Sequence, residues 1–236
     1  MSSVVNYLKV YNFDNKIRLG EKCDGGYVIG DIYNNYDCYI SAGVSNEESF
    51  SRDFINKYEM NHENSYAFDG TINSYPYHYT KNITFIRRNI GAERNSKVAN
   101  LSYFIEKYNN IFLKMDIEGG EYPWLLSLNK DALNKFQQIA IEFHGINDDS
   151  WSCTYVNKLK CLKKLADTHY LIHIHGNNFS SVKNRIPDVV ELTYIRKDYF
   201  TQEPELNKTC LPIQGLDFPN NVHTRDFNLI FKPFVN

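Results

Sequence analysis

An open, mostly parallel α/β sheet with helices on both faces is the fold this sequence predicts, and three observations predict it. Apolar runs of strand length alternate with stretches of helical period along most of the chain. The early runs are apolar almost throughout, as strands buried on both faces must be. A polar or glycine-bearing turn follows each of the first four core runs, at the carboxyl end where such sheets bind ligands.

Taken in order, residues 1–37 read as an N-terminal extension packing on the domain, with Asp24-Gly25-Gly26 a turn before a short apolar run. Cys38 to Ala42 is the first core strand and ends in Gly43. Phe50, Phe54, Ile55 and Tyr58 then recur at helical spacing between Glu47 and Tyr58. Ser65 to Phe68 is a strand closing on Asp69-Gly70, and Ile83 to Ile86 is another, leading to Asn89-Ile90-Gly91. Residues 97–108 read as a helix with Leu101, Phe104 and Ile105 on one face. Ile111 to Met115 is the fourth core strand and runs into Asp116, before a helix from Tyr122 to about Leu128.

Gln138 to Phe143 is a further strand ending at His144-Gly145. Ser150 to Asp167 is an amphipathic helix, with Val156, Leu159, Leu162 and Leu165 inward and Lys158, Lys160, Lys163 and Lys164 on a solvated face. Strands Tyr170 to His175 and Val189 to Ile195 are joined by a polar loop without helical period, so they form a hairpin-type antiparallel edge. Phe227 to Lys232 reads as the last strand. No linker or repeat interrupts the chain, so residues 1–236 read as one domain.

Composition narrows the function classes. With 42% hydrophobic residues in 236, the chain has material for a full core. A net charge of −2 offers no footprint for nucleic acid. The five cysteines are scattered without a C-x-x-C pair, which argues against a disulfide framework or zinc site and for a reducing compartment, the cytoplasm. The opening MSSVVNYLKVYNF is too short and mixed for a signal peptide, and no stretch approaches the roughly 18 apolar residues of a membrane span. Abundant Asn, Ile, Lys and Tyr suit an AT-rich genome, as of an intracellular parasite or large virus. The expected partner is a carbohydrate or small-molecule acceptor, with no nucleic acid and no membrane; oligomeric state is not legible.

The four strand ends form a set suited to a nucleoside-type cofactor. Gly43 lets backbone approach a ligand, and Ser45, Asn46 and Glu47 lead into a helix start with free N–H groups. Asp69, one strand–helix unit later, is placed to accept ribose hydroxyls. Asn89 and Ile90 frame an adenine edge. Asp116 follows the fourth strand, with Glu118 and Glu121 close behind. Taken singly, an acid after a strand is more often a helix cap or turn residue. A nicotinamide dehydrogenase is disfavoured because no G-x-G-x-x-G follows the first core strand.

The segments DGGYVI (24–29), SAGVSNEESFSRDF (41–54), FDGT (68–71), LKMDIEGGEYPWL (113–125), EFHGI (142–146) and LDFPNN (216–221) resemble the FkbM-like class I methyltransferases. LKMDIEGGE is the most specific of them. The resemblance implies a Rossmann-like, mostly parallel sheet of about seven strands with an antiparallel final strand. It also implies S-adenosylmethionine as donor and O-methylation, commonly of a sugar hydroxyl on a glycan or nucleotide sugar. Carried over, Gly43 and the Ser45–Glu47 turn face the methionine part, Asp69 the ribose, and Asn89 with Ile90 the adenine, while Asp116 sits beside the sulfonium and acceptor. The chain has Ser41 and Glu47 where the family's glycine motif has an acid and a second glycine, so the cofactor's amino group falls to Glu47 or Asp116. A cofactor-fold protein without catalysis, serving as an interaction module, is the alternative from a different class.

A sugar hydroxyl is a poor nucleophile, so methyl transfer to it needs alignment and removal of its proton by a base or with help from a metal. Asp116, Glu142 and His144 are the catalytic candidates, with His175 further along; strand alternation puts Glu142 and His144 on one side. His144 is a general base oriented by an acid, or one of three ligands (Asp116, Glu142, His144) of a divalent cation, or structural. Two carboxylates and an imidazole suit Mn²⁺ better than Mg²⁺. His173 and His175 share a face and read as hydrogen-bonded strand residues or as metal ligands. Asn177 and Asn178 sit in a candidate sugar-contacting loop. Tyr75, Tyr77, His78 and Tyr79 line an acceptor cleft or pack as a lid.

Overall fold

The computed structural model of the chain describes residues 3–32 and 36–236; residues 1–2 and 33–35 of the expected extension lie outside them. A hairpin of β1 (Lys16–Leu19) and β2 (Tyr27–Gly30) precedes β3 (Cys38–Ala42), α1 (Ser49–Lys57), β4 (Ser65–Phe68) and β5 (Thr84–Ile86). The short strands β6 (Asn89–Ile90) and β7 (Val98–Ala99) pair with each other and lead to α2 (Ser102–Lys107) and β8 (Ile111–Met115). Then come α3 (Glu121–Ser127), α4 (Lys130–Leu133), β9 (Phe136–Phe143), α5 (Tyr155–Thr168) and β10 (His169–Gly176). A small ribbon of β11 (Val182–Lys183) and β12 (Ile186–Pro187) leads to β13 (Val190–Arg196).

Seven strands make the central sheet, in the order β10-β13-β9-β8-β3-β4-β5. Five of them, β9 through β5, pair in parallel, and β13 runs antiparallel to both β9 and β10. The chain builds outward from β3 through β4 to β5, then returns to β8 on the other side of β3. The strand order therefore reverses between β3 and β8, which opens a crevice at their carboxyl ends.

Alternation along the strands fills both faces. Ile40, Ala42, Leu113 and Met115 pack with Trp124, Leu125, Leu162 and Leu165 of α3 and α5. On the other face Tyr39 and Phe112 pack with Phe50 and Phe54 of α1 and Ile29 of the hairpin. The Phe54 ring lies 4.5 Å from Tyr39 and 4.3 Å from Phe112. Each such ring pair adds about 0.5–1.5 kcal/mol beyond area burial.

The late pair β10 and β13 forms the expected antiparallel edge, with β10 outermost and Tyr11 N donating to Leu171 O across part of it. Four local expectations are corrected. Phe227 to Lys232 forms no strand: Leu229 N bonds Leu211 O, and the segment anchors by burying Leu229 and Phe234. The helix expected over 97–108 begins only at Ser102, because Leu101 is left-handed at φ 63° and Val98–Ala99 is spent on pairing. The helix expected from Ser150 begins at Tyr155, capped by Thr154, after a tight bend with Trp151 and Ser152 at positive φ. On that helix Val156 is exposed, while Lys158 is fully buried, donating to Gly145 O and, at 2.9 Å, to Ser150 Oγ.

Candidate active site

Backbone demand fixes the first wall of the crevice. Gly43 has φ +84°, and a Cβ there would sit 1.6 Å from the Asp116 carbonyl oxygen, so only glycine lets β3 and β8 end side by side. Asp69, at the end of β4, clamps the turn that follows: Oδ2 accepts from Val44 N (3.1 Å) and Ser45 N (3.0 Å), and Oδ1 accepts from Thr71 N and Oγ1. Burial opposes its charge, but these donors outweigh burial and hold its pKa below the usual carboxylate value.

The resulting cavity is about 620 Å³, within the range of small-molecule sites. Of the cofactor residues expected, Gly43, Ser45, Glu47, Asp69, Asn89, Ile90 and Asp116 line it; Asn46 is exposed and takes no part in the wall. Asn89 Oδ1 accepts from Gly70 N at 2.9 Å, which ties the third strand end to the second. The sequence reading missed Lys114 on this wall, although a lysine inside the apolar run IFLKM was a visible signal. Its Nζ donates to Gly43 O at 2.7 Å and stands 5.7 Å from the Tyr27 ring centre. Nearby, the buried Glu48 accepts from Ser41 Oγ, Ser51 Oγ and Tyr75 OH.

A second cavity, of about 440 Å³, shares Asp24, Asp116 and Glu118 with the first. At its floor the structure brings together Asp116, Glu142 and His144. The His144 Nε2 lies 3.4 Å from Glu118, 3.7 Å from Glu142 and 3.9 Å from Asp116, and Nδ1 faces Glu121 at 3.4 Å. The D-I-E-G-G-E sequence makes this possible. Glu118 and Gly119 both take left-handed φ, and Glu121 Oε1 reaches back to accept from Ile117 N as α3 begins. The Trp151 ring packs 4.9 Å from the His144 ring, on the bend that Lys158 braces through Gly145 and Ser150.

Burial opposes charge on His144, but Glu121, Asp116 and Glu118 override it and raise its pKa above the ordinary imidazole value. Burial likewise pushes the Asp116 carboxyl up, partly offset by Lys114 and His144. Glu142 is lifted well above the carboxylate range by burial and by the nearby Asp116 and Glu191 charges. Asn177 Nδ2 donates to its Oε1 at 2.9 Å.

His175 belongs to a different cluster. Register places Glu142 opposite Glu191, and Glu191 opposite His175, in one row across β9, β13 and β10. His175 Nδ1 meets Glu191 at 3.1 Å and Nε2 meets Asp226 at 3.1 Å, while Asn220 donates to Glu191 and Asp24. His173 pairs with Asp217 at 2.8 Å. Both histidines are thus hydrogen-bonded strand residues, and His175 has no nitrogen left for a substrate or metal. Asn178 is spent on Asn221 and Thr224, and Tyr75 is buried against Glu48; neither these nor Tyr77, His78 and Tyr79 line either cavity.

Comparison with known proteins finds a match between the Methyltransferase FkbM domain and residues 22–179. The chain belongs to the FkbM methyltransferase family. That span holds every residue named for the crevice and the His144 cluster, and the seven-stranded sheet is the Rossmann-like fold the resemblance implied. The match stops before β13 and the C-terminal segment, so Glu191, Asp217, Asn220 and Asp226 of this methyltransferase lie outside it. No curated protein and no solved structure matches the chain. Among the described residues no helix is long and apolar enough to cross a membrane.

Proposed function

We propose that this methyltransferase uses S-adenosylmethionine to methylate a hydroxyl of an uncharged, hydroxyl-rich acceptor, a glycan above all. The observation that carries the reading is the meeting of two cavities at Asp116, one walled by the four strand ends and one floored by His144. The first fits the donor: a cradle at Gly43 that any Cβ would fill, and an anionic Asp69 beside it. When bound, S-adenosylmethionine supplies an activated methyl group. Gly43, Ser45 and Glu47 are assigned to its methionine part, Asp69 to its ribose, and Asn89 and Ile90 to its adenine.

The second cavity suits a sugar. Trp151 and Phe179 present rings at its rim, 43% and 65% exposed, and Asn177 lies within. Asp24, Asp116, Glu118, Glu142 and Asp188 line it, and among the described residues no lysine or arginine does. A nucleotide sugar would bring phosphates to those carboxylates, so the glycan is the better fit of the two expected acceptors. Where no cation is bound, His144 takes the acceptor proton, and Glu121 behind Nδ1 stabilises the imidazolium that results. A second reading is favoured by the spacing of donor atoms on Asp116, Glu142 and His144, all within 4.8 Å of one another, which suits a cation that lowers the hydroxyl pKa.

Calorimetric titration with S-adenosylmethionine and S-adenosylhomocysteine tests the donor assignment. Binding of both is expected; binding of neither would leave the non-catalytic interaction module as the better account.

A further inference from the structure

The imidazole of His144, at the centre of the site, has incomplete bonding. Its side chain is 7% exposed, yet Nδ1 has no hydrogen-bond partner and Nε2 approaches three carboxylates only to 3.4–3.9 Å. An N–H···O bond needs about 2.7–3.2 Å, so the ring nitrogen has settled on none of them. Three carboxylates converging on one buried nitrogen repel each other unless they take up protons or a cation lies between them. Protonation alone is answered differently elsewhere in this sheet: at His175 both nitrogens close to 3.1 Å on single carboxylates.

The spacing at His144 is that of a cation cage. Ligand atoms of Asp116, Glu142 and His144 all lie within 4.8 Å of one another. An octahedral ion with ligands at about 2.1 Å holds neighbouring donors about 3 Å and opposite donors about 4.2 Å apart, so a contraction of about half an ångström completes the set. The supports are at hand. Asn177 fixes Glu142 Oε1, and Glu121 stands 3.4 Å behind the far nitrogen of the imidazole, on the side where carboxylates hold metal-bound histidines.

We propose that Asp116, Glu142 and His144 bind a divalent cation at the junction of the two cavities, Mn²⁺ in preference to Mg²⁺ because one donor is an imidazole. Two carboxylates neutralise its charge, and the open part of its shell faces the acceptor cavity. Binding stands on these side chains alone; its role in catalysis rests on the methyl-transfer reading. In that role the cation holds an acceptor hydroxyl and lowers its pKa. The proton passes to Glu118, whose side chain is 71% exposed, and on to water. The acceptor oxygen forms its bond to the methyl carbon as the carbon–sulfur bond breaks and its electron pair stays on sulfur.

The test is titration of Mn²⁺ alone into the full chain, with and without S-adenosylhomocysteine, followed by electron paramagnetic resonance. One Mn²⁺ per chain is expected, with spin-echo modulation from an imidazole nitrogen. Glu142→Gln and His144→Ala, checked for native circular dichroism, lose it, and Glu121→Gln weakens it by about ten- to a hundredfold. No Mn²⁺ bound to the wild type overturns the proposal, as does bound Mn²⁺ without nitrogen modulation, a measurement that needs no variant. Wild-type affinity in a folded Glu142→Gln overturns it too. Binding of S-adenosylhomocysteine in the same sample reports on the donor cavity separately, so a chain that takes the nucleoside but no Mn²⁺ loses the cation and keeps the donor reading.

Discussion

Two histidine–carboxylate clusters stand at one end of the sheet, His144 just past the end of β9 and His175 on β10 with β13 between them, and they have opposite character. At His175 every nitrogen is matched: Glu191 on one side, Asp226 on the other, with Asn220 completing Glu191. Burial opposes the charge there, but Asp226 and Glu191 outweigh it and push the pKa up to about 10. At His144 three carboxylates share one nitrogen at longer range, and the cluster opens onto a cavity. The difference teaches that acid and histidine in proximity are no sign of chemistry by themselves. What separates a structural cluster from a reactive one is whether the hydrogen bonds are already spent.

The sharpest way to break this comparison is to remove each histidine in turn. His144→Ala is expected to lower turnover by about 10²–10⁴-fold with donor affinity retained, measured by steady-state kinetics beside calorimetry. Retained turnover would place the chemistry elsewhere. His175→Leu leaves Glu191 and Asp226 facing each other without their cation, and should cost about 3–5 kcal/mol of stability in urea unfolding. An unchanged unfolding midpoint would mean the closed cluster carries no load.

Asp69→Ala removes the clamp on the Gly43 turn together with the assigned ribose acceptor, and should weaken donor binding about tenfold, about 1.4 kcal/mol. An unchanged dissociation constant contradicts the assignment. The closed cluster also sets a pH dependence. Because the His175 pKa rises from 6.5 to about 10 on folding, its stabilisation is complete below pH 6.5 and disappears as pH climbs through about 10. Wild-type stability should therefore fall over that window more steeply than that of His175→Leu, in parallel urea series at each pH.

The sequence carried the fold well where strands are parallel and buried, since runs such as IFLKM and QIAIEF have no other plausible place. It also located His144, Glu142 and Asp116, because strand alternation and strand ends are local properties. It failed where the deciding partner is remote. Lys158 sits in a charged stripe and looks solvated, yet its nitrogen is spent on Gly145, 13 residues earlier. Nothing local to His175 announces Asp226, 51 residues later on a segment without regular structure. Phe227 to Lys232 reads as a strand, but it pairs with no strand of the sheet, and Leu229 N is spent on Leu211 O in a remote loop. Of the first cavity's wall the strand ends were legible, but Asn46 was expected there and takes no part, and Lys114, Tyr27 and Thr71 were missed, although the place of Lys114 in an apolar run was a clue.

The most direct test of the contrast between the clusters is transfer of labelled methyl from S-adenosylmethionine to a panel of neutral glycans and nucleotide sugars. Wild type, His144→Ala and His175→Leu would be run side by side at a temperature where all three are folded. The account predicts label on a neutral glycan with wild type and His175→Leu, and none with His144→Ala. Label transferred by His144→Ala at the wild-type rate, or label confined to the nucleotide sugars, would contradict it.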